Sequence, residues 1–417
     1  MLVVALCFSV IVIDGYDLVV YGAIAPVLLE EPSWDLSHGG IGLIGSLTTL
    51  GMLVGALCVG TLSDVLGRRR VLLASTIWFS LATAVTAMAP SPEVFGAFRL
   101  LAGIGLGGVM PTAIALTIEY APKGREQVYN AVMFVGYSVG GVIATLLSLW
   151  LLAPSGFRTM LWIGVAPAVI LVPLIIRYLP ESVSYLMKRG RMQEATELAE
   201  AYGIDLESRR PSPAQQRIGA LGHLLRGRNL VALIFFTVAS FCGLLLVFGL
   251  STWLPELMRS AGYPLGSSIS FLLVLNLGAV VGSIGAAAVA DRIGSKVAVA
   301  LAFLAAVLVL LGLSLQPSAG LIYLFVAVAG LGSIGTQILV NGYAAAYFPA
   351  WARGTAVAIT LGVGRVGAVV APIMVGLIMD SGLGFAWNFY AFAIAALLGL
   401  VMITLVPRHR QVASQES

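Results

Sequence analysis

Four ionisable side chains sit within apolar stretches where charge is costly: Asp14, Asp17, Arg99 and Arg365. A charge at mid-bilayer costs about 2.5–3.5 kcal/mol on insertion scales, so it is kept where it meets a partner or a wet cavity. Asp14 and Asp17 are three residues apart, which on a helix places them on one face about a turn from each other. Two carboxylates that close in a poorly solvated cavity cannot both ionise cheaply. Such a pair can load and release a proton. Asp14 is the first candidate for the carrier, and Asp17 has a static bridge to Arg99 as its alternative. Arg365 lies about twelve residues into its apolar run, close to mid-depth at the helical rise of about 1.5 Å. Its planar fork can hold a carboxylate by two charge-assisted hydrogen bonds, so it is assigned to a substrate carboxylate. Arg99, about two turns into its run, is expected to modulate the proton affinity of the aspartates, with Glu93 as an alternative partner. Tyr16, Tyr137, Asn276 and Gln337 are candidates for ring packing and hydroxyl recognition.

These residues require membrane-crossing helices to place them. Of 417 residues, 59% are hydrophobic and only 10% charged, against about 25% charged in soluble proteins. Apolar runs recur at the length of about 20 residues that a bilayer core demands. Twelve spans are expected, at 2–27, 39–62, 70–89, 92–118, 127–152, 158–178, 229–256, 266–290, 296–315, 319–344, 354–379 and 383–406. The fold class is therefore all-α integral membrane. The first run is interrupted by Asp14 and Asp17, so it reads as a retained span rather than a cleaved signal peptide. All Lys and Arg except Arg99, Arg158, Arg259 and Arg365 fall on one side, in the connections after even-numbered spans, at the end of span 6 and in the C-terminal tail. The positive-inside bias makes that side, and both termini, cytoplasmic. It also accounts for the net charge of +4 without a nucleic-acid partner. Cys7, Cys58 and Cys242 lie in apolar runs and His38, His223 and His409 in loops or tails, so no disulfide framework or metal site is expected. No phosphate-binding loop, cofactor or enzymatic nucleophile cluster is found.

A shift of 227 residues superimposes Asp64, Gly67 and Arg69 on Asp291, Gly294 and Lys296, and Gly103, Gly105 and Gly108 on Gly330, Gly332 and Gly335. Matched spans run in the same direction, so the repeat is parallel, with two six-helix halves and a site expected between them near mid-membrane. The halves are 1–179 and 229–407, joined by a hydrophilic linker at 180–228 with amphipathic helices and followed by a tail at 408–417. Under the shift, Asp14, Asp17, Arg99 and Arg365 have no charged mates, as an asymmetric substrate between symmetric halves would require. Glu119, near the inner end of span 4, is too far from Arg99 to share its site. It is expected to pair with Arg68 to Arg70 and, with Asp64, to close the inner side in the outward-facing state.

The run Gly60-Thr61-Leu62-Ser63-Asp64-Val65-Leu66-Gly67-Arg68-Arg69-Arg70 closely resembles the signature between the second and third helices of the major facilitator superfamily. Arg99 to Gly108 resembles its fourth-helix motif, and Pro180-Glu181-Ser182 one found at the end of the sixth. Asp14-Gly15-Tyr16-Asp17 resembles the first-helix signature of the aromatic acid/proton symporters. Gly364-Arg365-Val366-Gly367 with Pro372, and Thr252-Trp253-Leu254-Pro255, are similar to segments of that family. Members usually carry a polar segment before the first span, whereas this chain has almost none. Gly136 to Gly141 lacks the Gly-Pro pair of resembling antiporters, which favours symport. The resemblance implies proton-coupled uptake of benzoate-like or hydroxylated aromatic carboxylates across a bacterial plasma membrane. Asp64, Gly67, Arg68, Arg69, Glu119 and Asp291 are expected in gating, and the chain is expected to be a monomer in lipid. A carrier of another organic anion or of a sugar, or a non-transporting sensor, is the alternative.

Overall fold

The computed structural model describes residues 2–122, 125–204, 206 and 221–407. Among them, eleven helices are long and apolar enough to cross a membrane. One of these, Glu126–Tyr178, turns back at Gly156 (φ 73°, ψ 172°), two residues after Pro154, and so supplies spans 5 and 6. Spans 1 to 4 are Leu2–Leu29, His38–Leu66, Arg68–Ala87 and Pro92–Tyr120. Spans 7 to 9 are Gly227–Ser260, Leu265–Ile293 and Ser295–Ser314, and spans 11 and 12 are Ala350–Asp380 and Ala386–Leu405. Span 10 runs from Ala319–Gly330 through a π-helical turn, Leu331–Gly335, into Thr336–Tyr347. Twelve crossings result.

Several helices run a few residues past the expected apolar limits, as spans 2, 4 and 7 do at Leu66, Tyr120 and Ser260, while polar caps fix two of the starts. Ser37 and Ser91 accept hydrogen bonds from the backbone of Gly40 and Val94 at the starts of spans 2 and 4, satisfying donors that a helix start leaves free. Gly67 and Gly294 end spans 2 and 8 at φ 96°, ψ 150° and φ 90°, ψ 144°, a region that residues with a Cβ scarcely enter. The two positions are related by the repeat, and they share one conformation.

The repeat also governs how spans pack. A Cβ on Gly51 would strike the Leu100 carbonyl, and one on Gly278 the Ala327 carbonyl. Likewise Gly103 abuts the Thr48 carbonyl and Gly330 that of Leu275, and Gly105 lies against Phe79 as Gly332 does against Ala306. Every pair is related by the same 227-residue shift. Small residues allow this approach where lipid offers no hydrophobic gain from association. Large apolar side chains such as Trp150, Val169, Val281, Leu308 and Ile394 are exposed, as a lipid-facing surface requires.

The helices Val183–Lys188 and Met192–Tyr202 of the linker bury Val183, Leu186, Ala195 and Ala199. The end of the bundle that they cover is here called the linker side, and the opposite end the far side. The tail at 408–417 lies outside the described residues.

Candidate functional site

Span 1 carries the two carboxylates inward, and both are sealed: Asp14 is 0% and Asp17 2% exposed. Their circumstances differ. Nη1 of Arg99 donates to both oxygens of Asp17, at 2.9 and 2.8 Å. Nε of Arg99 donates to Thr48 Oγ1 at 3.1 Å, and Thr83 Oγ1 lies 3.5 Å from Asp17. The guanidinium also lies over the Tyr21 ring, 5.3 Å from its centroid. Spans 1, 2, 3 and 4 are thereby tied through one buried charge pair, and Glu93, the alternative mate for Arg99, is exposed. Asp14, one turn away, has no hydrogen-bond partner on either oxygen.

Arg365 reaches from span 11 across the interface, where Nη2 lies 3.9 Å from the Met110 sulfur of span 4. Its charge and that of Asp14 act on each other through the intervening space. Around them, one apolar cluster draws on both halves: Ile13, Met52, Leu106 and Tyr137 from the first, Val247 and Ile334 from the second, with Met110 and Phe248 packed against it. The Tyr137 hydroxyl is buried without a partner. A guanidinium, an unpaired carboxylate and an apolar wall therefore meet between the halves, an arrangement that suits a ligand with a charged end and a flat apolar body.

The other expected recognition residues are placed differently. Tyr16 turns into its own half, its hydroxyl donating to the Met160 carbonyl at 2.8 Å and its ring against Gly164 of span 6. Asn276 is fully buried, its amide nitrogen donating to the Leu272 carbonyl at 2.8 Å while Oδ1 abuts Gly141 of span 5 without a donor. Gln337 lies just after the π-helical turn and faces span 7: Nε2 donates to Ser240 Oγ at 3.0 Å and to Asn341 Oδ1 at 3.1 Å, and Oε1 lies unpaired beside Gly243. That turn has no signature in the glycine pattern alone.

Polar and close-packed contacts between the halves, among the described residues, lie at the far side or mid-depth. Ser46 Oγ donates to the Val369 carbonyl at 2.6 Å, Gly42 abuts Pro372, and Gly22 abuts Ser251. Arg259 of span 7 pairs with Glu30 and donates to the Pro26 carbonyl at 3.1 Å. His38 meets Asp380 and Glu256. The halves are sealed against each other on the far side.

Two overlapping stretches of the chain, residues 7–344 and 288–417, match the family model of the Major Facilitator Superfamily. The chain belongs to this superfamily. Among curated relatives, the gentisate transporter of Corynebacterium glutamicum is 38% identical, the match covering 95% of this chain and 85% of that one. The benzoate transport protein of Acinetobacter baylyi is 36% identical over 98% and 90%. Of solved structures, an inward open conformation of the xylose transporter XylE from E. coli superimposes with a TM-score of 0.78 at 16% identity, covering 98% of this chain and 97% of that one. That likeness is one of fold.

In this major facilitator, three of the residues expected to gate, Arg68, Arg69 and Glu119, join Glu181 and Ser184 of the linker in a network on the linker side. Arg68 Nη1 bonds Glu119 Oε2 at 3.0 Å, and Glu119 Oε1 accepts from Ser184 N and Oγ at 2.7 and 2.6 Å. Arg69 is not on Glu119: its backbone N donates to Glu181 Oε1 at 3.0 Å and its guanidinium to the Ile176 carbonyl. Glu181 also packs against Gly67. Its role there was readable in Pro180-Glu181-Ser182 as a motif, though not as a partner of the 2–3 connection. Asp291 is exposed. Asp64 lies in span 2, and its side chain is outside the described residues. His38, Glu256 and Asp380 were not singled out by sequence, because a charge at a span end is the ordinary case.

Proposed function

We propose that the chain takes up an aromatic carboxylate together with protons by alternating access, with Arg365 holding the substrate carboxylate and Asp14 carrying the proton. The single observation supporting this is the unpartnered Asp14 carboxyl buried in the interface toward Arg365. An ionised carboxyl there without a hydrogen bond is costly. The cost is relieved either by a proton or by the charge of Arg365. When a substrate carboxylate occupies the Arg365 fork, that charge is drawn from Asp14, and a proton on Asp14 becomes the remaining relief. Substrate and proton thus favour each other's binding, by the same factor in both directions. The apolar wall of Ile13, Met110, Val247 and Phe248 supports an aromatic ring, and the gentisate- and benzoate-carrying relatives support the same class.

The positive-inside bias places the linker side in the cytoplasm of a bacterial cell with both termini, so the far side faces outward and the molecule is closed to it. Asp17 and Arg99 hold span 1 in register for Asp14. The network of Gly67, Arg68, Arg69 and Glu119, together with the repeat-related positions Asp64 and Asp291, sets the balance between states. Tyr137 lies beside the ring site, while Asn276 and Gln337 enter recognition when the spans re-pack. The driving force is about 1.4 kcal/mol per proton per pH unit and about 2.3 kcal/mol per charge per 100 mV. The chain works as a monomer in lipid. Uptake of radiolabelled benzoate and gentisate into vesicles, with and without an imposed pH gradient, tests the reading. Accumulation that follows the gradient and vanishes in Arg365→Ala and Asp14→Asn is expected. Gradient-driven uptake persisting in Asp14→Asn removes the proton assignment, and unchanged benzoate binding in Arg365→Ala removes the carboxylate one.

A further inference from the structure

The far-side seal has an unusual construction. Asp380, the last residue of span 11, serves as an N-cap for span 2 of the other half: Oδ1 accepts from His38 N at 3.1 Å and Oδ2 from Gly39 N at 2.7 Å. A carboxylate placed on a helix start satisfies free donors and complements the dipole. The His38 ring stands between two carboxylates of the second half, with Nδ1 3.2 Å from Asp380 Oδ1 and Nε2 3.7 Å from Glu256 Oε1 of span 7. The other oxygen of Glu256 has no partner, and that side chain is only 7% exposed. Trp253 lies alongside, its ring centroid 6.2 Å from that of His38, anchored by Nε1 to the Pro372 carbonyl at 3.0 Å. The other charges at this end of the bundle are Asp35 and Glu31 in the 1–2 connection, Glu93 in the first turn of span 4, Arg158, which donates to the Ala87 carbonyl, and Arg259, which is taken up by Glu30 and the Pro26 carbonyl.

We propose that His38 is a second proton-binding site, distinct from the transported one, whose occupancy favours closure of the far-side gate. Two carboxylates converge on the ring only when the halves are together, so a proton on His38 is stabilised in the closed state and less so once spans 7 and 11 swing away. Imidazole is the side chain whose ordinary titration falls at about pH 5–8. His38 and Asp380 are each 33% exposed, and they lie at the far rim. The proton therefore enters from far-side water on closing and returns to the same water on reopening. It biases the gate without being carried across. This rests on the alternating-access reading and is independent of the assignment of Asp14.

The test places spin labels on Ser33→Cys and Ser381→Cys, exposed on opposite halves of the rim, in a Cys58→Ala background, and reads their separation in lipid nanodiscs from pH 8 to 5 without substrate. In the otherwise native chain the ratio of closed to open molecules should rise with acidity, by at most about tenfold per pH unit, the limit for one linked proton. His38→Gln should flatten that dependence, His38→Lys should hold the gate closed at every pH, and Asp14→Asn should leave the dependence in place. A dependence that survives in His38→Gln overturns the proposal. Vesicle uptake supplies the second arm. His38→Gln should change the rate of benzoate entry with external pH yet reach the same steady-state accumulation ratio. A lowered ratio would mean the proton crosses, and the far-side-only site is then wrong. Failure of benzoate uptake in the native chain, with the gate response intact, would instead count against the substrate reading.

Discussion

Asp14 and Asp17 belong to one helix, a turn apart and equally sealed from solvent, and they represent two uses of buried charge. At the level of Asp17, every demand is met: both oxygens face Arg99, Thr83 is adjacent, and the guanidinium is held again by Thr48 and Tyr21. All of these groups come from the first half, so the cluster can stay intact while the halves rock. At the level of Asp14, nothing is met, and the facing charge belongs to the other half. A satisfied buried pair fixes geometry, whereas an unsatisfied one stores a response to protons and ligand. The interface between the halves divides the two.

The largest effects should come from the unsatisfied level, and they should be functional. Asp14→Asn or Arg365→Ala is expected to reduce gradient-driven benzoate accumulation to the level of empty vesicles. Asp14→Leu combined with Arg365→Met should abolish transport while raising stability in detergent by about 1–3 kcal/mol, because it removes an unpaired carboxyl from an apolar setting without leaving the opposing charge behind. A clear loss of stability in that double variant would show that Asp14 is held by partners after all, and the contrast with Asp17 would fail.

The satisfied level should behave in the opposite way. Arg99→Met strands Asp17 and is expected to cost about 3–5 kcal/mol, as breaking a buried pair does, seen as a lower melting temperature. Combining it with Asp17→Leu should recover most of that loss, since an apolar pair of similar volume replaces the ions. A double variant no more stable than Arg99→Met would mean that the pair contributes more than mutual neutralisation.

Much of this contrast was legible in sequence, and the reason is physical. Charges in spans are rare enough that Asp14, Asp17, Arg99 and Arg365 select themselves, and a duplicated chain shows which of them have no counterpart. The twelve spans and the repeat follow from hydropathy and glycine spacing, whereas the close approach of Gly51 to Leu100 and of Gly278 to Ala327 is visible only in the fold. Spacing along a helix could not decide which aspartate Arg99 would take, because that depends on the rotation of span 4 against span 1. The same limit applies to Tyr16, whose proximity to the aspartates in sequence says nothing of the Met160 carbonyl waiting in span 6. The π-helical turn at Leu331–Gly335 and the Asp380 cap on span 2 are tertiary facts, with no local pattern to announce them.

A smaller effect should distinguish the two halves at the linker side. Gly67 and Gly294 share one backbone conformation, so alanine at either costs about 1–3 kcal/mol of local strain. At Gly67 a Cβ also collides with the Glu181 carboxylate, whereas at Gly294 it would meet nothing among the described residues within 4 Å beyond its own chain neighbours. Gly67→Ala should therefore loosen the tie between Arg69 and Glu181, and speed proteolytic cleavage near Arg189–Arg191 more than Gly294→Ala does. Equal cleavage in both would detach Glu181 from the network.

The smallest effects should come from two tyrosines that repeat the opening contrast without charge. Tyr16 is satisfied, and Tyr16→Phe removes a hydrogen bond of about 1 kcal/mol while leaving the Met160 carbonyl to its own helix. The expected outcome is a slightly lower melting temperature with an unchanged KM for both acids. Tyr137 is buried with an unpaired hydroxyl, so Tyr137→Phe should be neutral or slightly stabilising. Any cost should fall on substrate, as a several-fold rise in KM for gentisate and none for benzoate, because only a ring hydroxyl could pair with the phenol. If the two variants exchange these behaviours, satisfaction in the resting structure does not sort scaffold from site. The inference from Asp14 would then lose its main support.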